Sequence, residues 1–433
     1  MQATVEAVWR IESARLIGGL TRIVRDVGLA EDLAQDALVV ALERWPESGV
    51  PENPGAWLMA TAKYLAIDVL RRNRRLERKH EQLAREMGIQ LAMDAADVEA
   101  ALDDQIGDDV LTLMFMCCHP VLSTDARIAL TLRLLGGLTT RDIARAFLVP
   151  EPTVAQRIVR AKRTLAAAQV PFEVPRGNEL QSRLSSVLEV VYLVFNEGYT
   201  ATAGEDWMRP ALCEEALRLG RILASLAPNE AEVHGLVALM ELQAARAAAR
   251  VSSSGEPVLL LEQDRARWDH LQVRRGLTAL ERAERQLDDS LAAGSREGTL
   301  GAYGLQAAIA ACHARASTAA ETDWPRIAAL YAALARLAPS PVVELNRAVA
   351  VAMAFGPGAG LELVDALRSD PSLERYHLLP SVRGDLLAKL GRPAEARAEF
   401  ERAAGLTQNS RERAVLLRRA AACVTVPRTV AGP

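Results

Sequence analysis

The chain has 433 residues, half of them hydrophobic and 4% aromatic, and its net charge is −4. This length is too great for one simple core, so we expect two to four domains, and abundant Ala, Leu and Arg favour an all-α fold. Five cysteines do not make a disulfide framework in so long a chain and fit a reducing compartment. Neither a secretory signal nor an apolar run of about 20 residues is evident, which predicts a cytoplasmic protein without a membrane span.

Charged residues are unevenly distributed along the chain. Residues 60–80 hold seven Lys and Arg against two Asp and Glu, and residues 141–163 hold six against two. Between these basic segments, residues 94–109 carry seven acids and neither Lys nor Arg. The net negative charge argues against indiscriminate coating of nucleic acid, whereas two basic segments separated by an acidic one predict two DNA-contacting units on one chain.

Helical periodicity begins near the N-terminus. Residues 1–30 carry apolar stripes typical of one or two helices, with Gly28 as a stop signal. The next segment, AEDLAQDALVVALERW at 30–45, is amphipathic, and its clustered acids suit a helix N-terminus. A loop should then precede the third helix, because three prolines follow closely: Pro46, Pro51 and Pro54.

The third predicted helix covers residues 56–78 and has an apolar first half followed by an arginine run. Cations suit a helix C-terminus, but these arginines nearly encircle the helix end and cannot all serve one salt bridge. Trp57 and Tyr64 could stack on unpaired bases, Trp57 being the stronger candidate, although aromatic residues at helical spacing more often belong to a core. The arginines of this run are Arg71, Arg72, Arg74 and Arg75.

Residues 139–165 predict two helices joined by a tight turn. Thr139 can cap the first helix, and Asp142 three residues later completes a capping box. Pro152 suits the first turn of the second helix, because its missing N–H has no partner there, and Glu151 is the expected cap. The pattern is typical of a helix-turn-helix unit.

The second helix of this unit has two faces of opposite character. Its apolar face repeats at helical spacing, which predicts attachment to a core, through Val154, Ile158, Ala161 and Leu165. The opposite face carries side-chain types that read base edges and bind phosphates in a major groove: Thr153, Gln156, Arg157, Arg160 and Arg163. The alternative is a surface helix with a solvated charged face.

Two other segments are less specific. The acidic segment at 80–109 is either a solvated linker or a strand that mimics the charge of nucleic acid in a channel. Cys117, Cys118 and His119 do not predict a metal site, because adjacent cysteines cannot easily share one tetrahedral ion and no further CxxC or His pair lies nearby. Without a nucleophile–base pair or a glycine-rich phosphate loop, we expect neither catalysis nor a cofactor.

Residues 180–425 predict helix after helix. Several segments are similar to tetratricopeptide repeats, because they form helical hairpins with small residues at the helix contacts, but their period is irregular. Stacked hairpins form a concave surface, which predicts a peptide or protein partner. Residues 191–207 concentrate four aromatics in an aromatic-poor protein, and we interpret them as a capped helix end or a contact with the N-terminal domains. We do not interpret Glu197 there as a catalytic acid or base.

These segments resemble the extracytoplasmic-function sigma factors of bacterial RNA polymerase. AEDLAQDAL, WPESGVPENPGAWL and ATAKYLAIDVLRR resemble region 2 of that family, and residues 118–168 resemble region 4. A group within the family also carries a C-terminal extension. The resemblance implies region 2 at 1–79, an acidic linker at 80–109, region 4 at 110–170 and a tetratricopeptide-like extension at 180–425.

The resemblance also implies a role for each helix. The second helix would dock on the clamp coiled coil of the largest polymerase subunit, and the flap of the second-largest subunit would be a further contact. The third helix would open and hold the −10 element, and the helix-turn-helix unit would read the −35 element with the face described above. The implied polymerase contacts are Leu33, Gln35, Asp36 and Leu42, and the implied −10 contacts are Trp57, Lys63, Arg71, Arg72, Arg74 and Arg75. The family often has Arg-Asn where this chain has Lys63-Tyr64.

The sequence therefore predicts a promoter-specificity subunit whose C-terminal extension regulates it. The rival interpretation is a helix-turn-helix repressor or activator with a repeat-type sensor domain, which would bind operators without core polymerase. The arginine-bearing third helix argues against that rival.

Overall fold

The computed structural model describes residues 2–85, 106–147, 149–176, 178–199, 208–252, 258–292, 299–407 and 410–423, and for residues 72–85 it describes the backbone alone. Regular structure in these ranges is helical, as the sequence predicts, and it consists of α-helices with a few short 3₁₀ helices. The chain divides into two compact units, Met1–Leu193 and Val194–Pro433. None of the described helices combines the length and the apolarity that a bilayer span requires.

Helices follow one another throughout the first unit, and the last of them continues into the second unit. They are α1 (Gln2–Val24), α2 (Val27–Ser48), α3 (Pro54–Arg85), α4 (Ile106–Cys117), α5 (Thr124–Leu134), α6 (Thr140–Phe147), α7 (Glu151–Ala167) and α8 (Asn178–Tyr199).

The break between α1 and α2 lies at Arg25 and Asp26. Arg25 has a left-handed backbone with φ 54°, and Asp26 caps α2 by accepting a hydrogen bond from the Leu29 N–H at 2.8 Å. Gly28 therefore lies in the first turn of α2, and its prediction as a stop signal is wrong.

The loop between α2 and α3 is shorter than the three prolines predict. Pro46 lies inside α2, and Pro54 is the first residue of α3, where a missing N–H leaves no hydrogen bond unmade. Gly49, with φ 79°, ends α2 and donates its N–H to the Trp45 carbonyl at 3.0 Å. The connection is therefore confined to residues 49–53.

Helices α1, α2 and α3 enclose an apolar core in which Trp45, Leu20 and Leu58 are fully buried. Helix α4 approaches α1 so closely that a Cβ atom at Gly18 would lie 2.9 Å from the carbonyl oxygen of Asp109. The Asp109 carboxylate is buried 3.3 Å from Arg22 Nε, so this acid belongs to the packed unit and not to a solvated linker.

Both ends of the predicted linker at 80–109 are helical. Residues 80–85 continue α3, and residues 106–109 open α4. The linker prediction therefore extended too far in both directions, and its middle, residues 86–105, lies outside the described residues.

The predicted helix-turn-helix unit is α6 and α7. Thr139 Oγ1 accepts a hydrogen bond from the Asp142 N–H at 3.1 Å, and the Asp142 carboxylate accepts from the Thr139 N–H at 3.4 Å, which confirms the capping box. The cap of α7 is Pro150, without a side-chain hydrogen bond. Glu151 is therefore the first helical residue, where its charge suits the helix dipole, and its prediction as the cap is wrong.

The second unit consists of helical hairpins, as predicted for residues 180–425. Its helices after α8 are α9 (Pro210–Leu226), α10 (Ala231–Ala244), α11 (His270–Ala292), α12 (Ala302–Arg315), α13 (Trp324–Leu337), α14 (Pro341–Phe355), α15 (Pro357–Ala366), α16 (Leu378–Lys389), α17 (Pro393–Leu406) and α18 (Ser410–Ala422).

Small residues allow these helices to meet closely. A Cβ atom at Gly235 on α10 would lie 2.7 Å from the backbone nitrogen of Gly304 on α12, so this crossing requires glycine. Farther along the chain, α14 to α18 share a core that contains Leu387 and Phe400.

Candidate nucleic-acid interface

Helix α7 is attached to the first unit by the predicted apolar face. Val154, Ile158, Ala161 and Leu165 are all buried. On the opposite face, Gln156, Arg160 and Arg163 are exposed, whereas Thr153 and Arg157 are partly buried. The structure thus brings the five predicted −35 contacts together on one accessible side of a single helix.

Arg157 is engaged within the unit. Its guanidinium lies 3.0 Å from the carboxylate of Asp125, in the first turn of α5, and the two side chains are 35% and 63% exposed. An ion pair with this exposure is worth between zero and about 1 kcal/mol. Another anion can therefore displace Asp125 from Arg157 at little cost in free energy.

The predicted −10 residues occupy different environments along α3. Trp57 is partly buried and packs edge-to-face on Trp45 with ring centroids 5.4 Å apart, which favours a core role. Lys63 is partly buried and Arg71 is exposed. The side chains of the remaining predicted contacts, Arg72, Arg74 and Arg75, lie outside the described residues.

Tyr64 is the aromatic of α3 that solvent reaches. Its side chain is 75% exposed, although sequence reasoning ranked it below Trp57. Periodicity alone could not separate the two, because both residues lie within one amphipathic helix. The neighbouring Lys63 could have indicated that Tyr64 belongs to a binding surface, because aromatic side chains beside cations are typical of proteins that bind single-stranded nucleic acid.

The predicted polymerase contacts on α2 do not share one face. Leu33 is 2% exposed and belongs to the core, so its prediction as a polymerase contact is wrong: it faces the helices inside the unit. Asp36 and Leu42 are exposed, and Gln35 is partly exposed. Val39, which sequence reasoning missed, is 51% exposed and lies one turn from both Asp36 and Leu42.

A buried carboxylate joins the N-terminal helices to the helix-turn-helix region. Glu31 on α2 is 3% exposed, accepts from Arg133 Nε of α5 at 2.7 Å and forms an ion pair with Lys162 of α7. The same carboxylate accepts a hydrogen bond from Gln35 at 2.7 Å. In the sequence this acid counts only among the clustered acids that suit a helix N-terminus, and its burial was not predicted.

Comparison with known proteins finds family models that match both regions of the chain in which the basic segments lie. Residues 10–76 match the family model of sigma-70 region 2, and residues 112–165 match that of sigma-70 region 4. The chain is 28% identical over 174 residues to the ECF RNA polymerase sigma factor SigC of Mycobacterium tuberculosis (strain CDC 1551 / Oshkosh), which covers 40% of this chain and 83% of that protein. The chain belongs to the extracytoplasmic-function sigma factors.

This sigma factor is similar to two further proteins, one of which matches nearly its whole length. It is 42% identical over 420 residues to an uncharacterized protein of Rhizobium meliloti (strain 1021), across 96% of this chain and 95% of that protein. It is 26% identical over 200 residues to a probable RNA polymerase sigma factor, RfaY, of Xanthomonas campestris pv. campestris, across 46% of each protein. Residues 183–284 match a family of unknown function, DUF6596. The Rhizobium protein therefore shares the extension as well as the sigma regions.

The cysteine pair of the sigma factor is part of its core. Burial raises the pKa of Cys117 well above its usual value, and it raises the pKa of Cys118 to about 11. The Cys118 Sγ atom contacts Thr131 Oγ1 at 3.5 Å. Within the described ranges no group of three or more His, Cys, Asp or Glu is arranged to hold a metal ion. Both thiols are therefore protonated, packed side chains.

Proposed function

We propose that this sigma factor gives core RNA polymerase its promoter preference through α7 at the −35 element and α3 at the −10 element. The observation that carries the proposal is the two-faced geometry of α7. Its apolar residues fix the helix, so that Gln156, Arg160 and Arg163 project together from a rigid support. An amide and guanidinium groups on one helix face are the donors that major-groove base edges and phosphates accept.

Helix α3 would hold the opened −10 element in a different way. Tyr64 offers an exposed ring on which an unpaired base can stack, and Lys63 and Arg71 offer charge to the backbone. Arg72, Arg74 and Arg75 would continue that phosphate contact along the helix. Trp57 would support this surface from beneath through its contact with Trp45.

The polymerase would bind α2 from outside. Asp36, Val39 and Leu42 form a small exposed patch with an apolar centre, and Gln35 borders it. We assign this patch to the clamp coiled coil of the largest subunit, and the flap of the second-largest subunit to the region that contains α5, α6 and α7. The sigma factor performs no chemistry itself, and we place it in the cytoplasm, where the polymerase acts.

The two promoter elements are too far apart for the first unit as it stands. Elements centred 25 base pairs apart are separated by about 85 Å along straight B-DNA, at 3.4 Å per base pair. A compact unit of about 190 residues has a radius of gyration of about 16 Å, and therefore a diameter of about 40 Å. Both elements can be bound together only if core polymerase separates region 2 from region 4, which breaks the contacts of Glu31.

The C-terminal extension would regulate the sigma factor and bind a peptide or protein partner on its helical hairpins. A truncation tests this role, but it must keep α8. Arg183 donates to the Phe115 carbonyl at 3.1 Å, and Ser186 donates to the Cys118 carbonyl at 2.6 Å, so the first part of α8 completes the first unit. We expect truncation after Tyr199 to change transcription from the cognate promoter. Unchanged transcription by a folded truncation would contradict regulation.

Co-purification with core polymerase tests the main proposal. We expect a stoichiometric complex that Val39→Asp weakens. The substitution places a carboxylate at the centre of the apolar patch, and its removal from water on binding costs free energy. Ile11→Asp is a matched control, since Ile11 on α1 is 65% exposed outside that patch. The rival, a repressor or activator with a sensor domain, predicts tight operator binding by the free protein and no polymerase complex.

A further inference from the structure

The second unit contains a cluster of cationic and aromatic side chains that the sigma function does not use. It comprises Tyr199, Arg246, Arg265, Trp268 and His313, and we call it the arginine–aromatic cluster. Tyr199 ends α8, within the aromatic segment that stood out in the sequence. Arg246 follows α10, Arg265 and Trp268 precede α11, and His313 lies on α12, so four separate elements converge.

Two guanidinium groups share one indole ring. Arg246 Cζ lies 5.8 Å from the centroid of Trp268, and Arg265 Cζ lies 5.1 Å from the same centroid. Arg246 also lies 5.9 Å from the ring centroid of Tyr199. Cation–π contacts hold both cations at this ring but leave their charge in place.

The positive charge of the cluster is not neutralised by a contacting carboxylate. Neither Arg246 nor Arg265 forms an ion pair within the part of the chain that the structure describes, and the charge of Glu321 raises the pKa of Arg265 without an ion pair between the two. Burial and the charge of Arg246 lower the pKa of Arg265. Burial, followed by the charges of Arg246 and Arg265, lowers the pKa of His313 to about 4. Grouped cations without a counter-charge are costly, so this arrangement favours an incoming anion.

Two buried polar atoms in the cluster have no hydrogen-bond partner among the described residues. Trp268 Nε1 belongs to a side chain that is 5% exposed, and His313 Nδ1 belongs to one that is 8% exposed. An indole N–H and a guanidinium are donors only, and the neutral imidazole of His313 can donate from Nδ1 in one of its two tautomers. A group that satisfies the indole N–H and the two guanidinium groups must accept hydrogen bonds, and a negative charge on it would suit the two cations.

The arginines are held in place before any ligand arrives. Arg246 donates to the Tyr199 hydroxyl and to Gln243 Oε1, the latter at 2.5 Å. Arg265 donates to the His313 carbonyl, and to the Ala316 carbonyl at 2.5 Å, at the C-terminal end of α12. Fixed donors lose little conformational entropy when they bind a ligand.

We propose that the arginine–aromatic cluster binds the oxyanion of a small ligand, either a phosphate or a carboxylate group, between Arg246, Arg265, Trp268 Nε1 and His313. The site gives the extension a ligand-binding activity that does not depend on the sigma regions.

Calorimetric titration of the full chain tests the site, with inorganic phosphate in one arm, citrate in a second and sodium chloride in a third. We expect saturable binding of one equivalent of phosphate or of citrate, and the arm that saturates identifies the ligand class. Arg246→Gln should weaken that binding about tenfold or more, because a charged hydrogen bond is lost. Arg267→Gln is the matched control, since Arg267 is exposed beside Trp268, and it should leave binding unchanged. Equal weakening by both variants, or saturation by chloride alone, would overturn the proposal.

The pKa of His313 provides a second test of the site, independent of calorimetry. In NMR titrations, with His313→Asn used to assign its resonance, a saturating anion should raise the pKa of His313 above its ligand-free value of about 4. In folded Arg246→Gln the same anion should produce little further rise. An unchanged His313 titration in the wild-type chain at saturating phosphate and citrate would contradict binding at this cluster.

Discussion

Glu31 and Arg133 are 102 residues apart in sequence, yet Arg133 Nε donates to the Glu31 carboxylate at 2.7 Å. Lys162 of α7 forms an ion pair with the same carboxylate. One buried acid of region 2 therefore holds two cations of region 4. If promoter binding separates the two regions, as we propose, this contact must break when the sigma factor enters the polymerase.

Replacement of Glu31 tests the strength of that contact. Glu31→Gln should lower the free energy of unfolding by roughly 2 kcal/mol, because Arg133 and Lys162 lose their shared counter-charge in a partly buried place. Asp32→Asn is the matched control, since Asp32 is the exposed neighbour on the same helix. Urea denaturation of both variants measures the difference. Equal stability of the two variants would show that Glu31 contributes no specific stabilisation.

We expect the ion pair between Asp125 and Arg157 to compete with promoter DNA for the guanidinium of Arg157. Asp125→Asn should strengthen holoenzyme binding to a promoter by a factor of about two to five, because a surface ion pair is worth at most about 1 kcal/mol. The gain should disappear when the −35 element is scrambled. Filter binding or fluorescence anisotropy of the holoenzyme measures both affinities, and a gain that survives scrambling would place Arg157 away from the −35 element.

The exposed ring of Tyr64 is expected to stabilise the opened −10 element. Tyr64→Ala should reduce the yield of open complex about tenfold, since base–aromatic stacking is worth about 1–3 kcal/mol. Tyr64→Phe keeps the ring and should retain most of the yield. Permanganate reactivity of unpaired thymines reports strand opening directly. Equal loss in both variants would assign the effect to the hydroxyl and contradict stacking.

Protonation of His313 should link stability to pH. Its pKa is about 4 in the folded protein and about 6.5 when unfolded, so between these values the unfolded chain binds the additional proton. Stability should therefore fall as pH decreases from 6.5 to 4, by up to about 3 kcal/mol from this group. His313→Asn should flatten the profile in this window. If the free energy of unfolding of the variant depends on pH as steeply as that of the wild type, other titratable groups cause the loss of stability.

Sequence patterns predicted those parts of the fold that depend on local chemistry. The capping box of Thr139 and Asp142 and the four buried residues of α7 were predictable, because each rests on spacing within one helix. Leu33 was mistaken for a contact residue because an apolar position does not show whether it faces the core or a partner. Asp109 was mistaken for linker because its partner, Arg22, is distant in sequence.

The elements that escaped prediction depend on contacts between distant segments. Glu31 occurs in an acid-rich helix start, where solvent exposure is the usual expectation, and its burial follows from Arg133 and Lys162 in another region. The arginine–aromatic cluster draws on four elements, and no single window of sequence contains it. Tyr64 and Trp57 differ in exposure because Trp45 of α2 covers one ring and leaves the other free.

Promoter binding by the free chain and by the holoenzyme, measured side by side at physiological salt, tests the central claim most directly. We expect the free chain to bind promoter duplex weakly and the holoenzyme to bind it tightly. Arg157→Ala combined with Arg160→Ala should abolish discrimination at the −35 element while the polymerase complex remains intact. Tight promoter binding without polymerase, or loss of the polymerase complex in that double variant, would contradict the account.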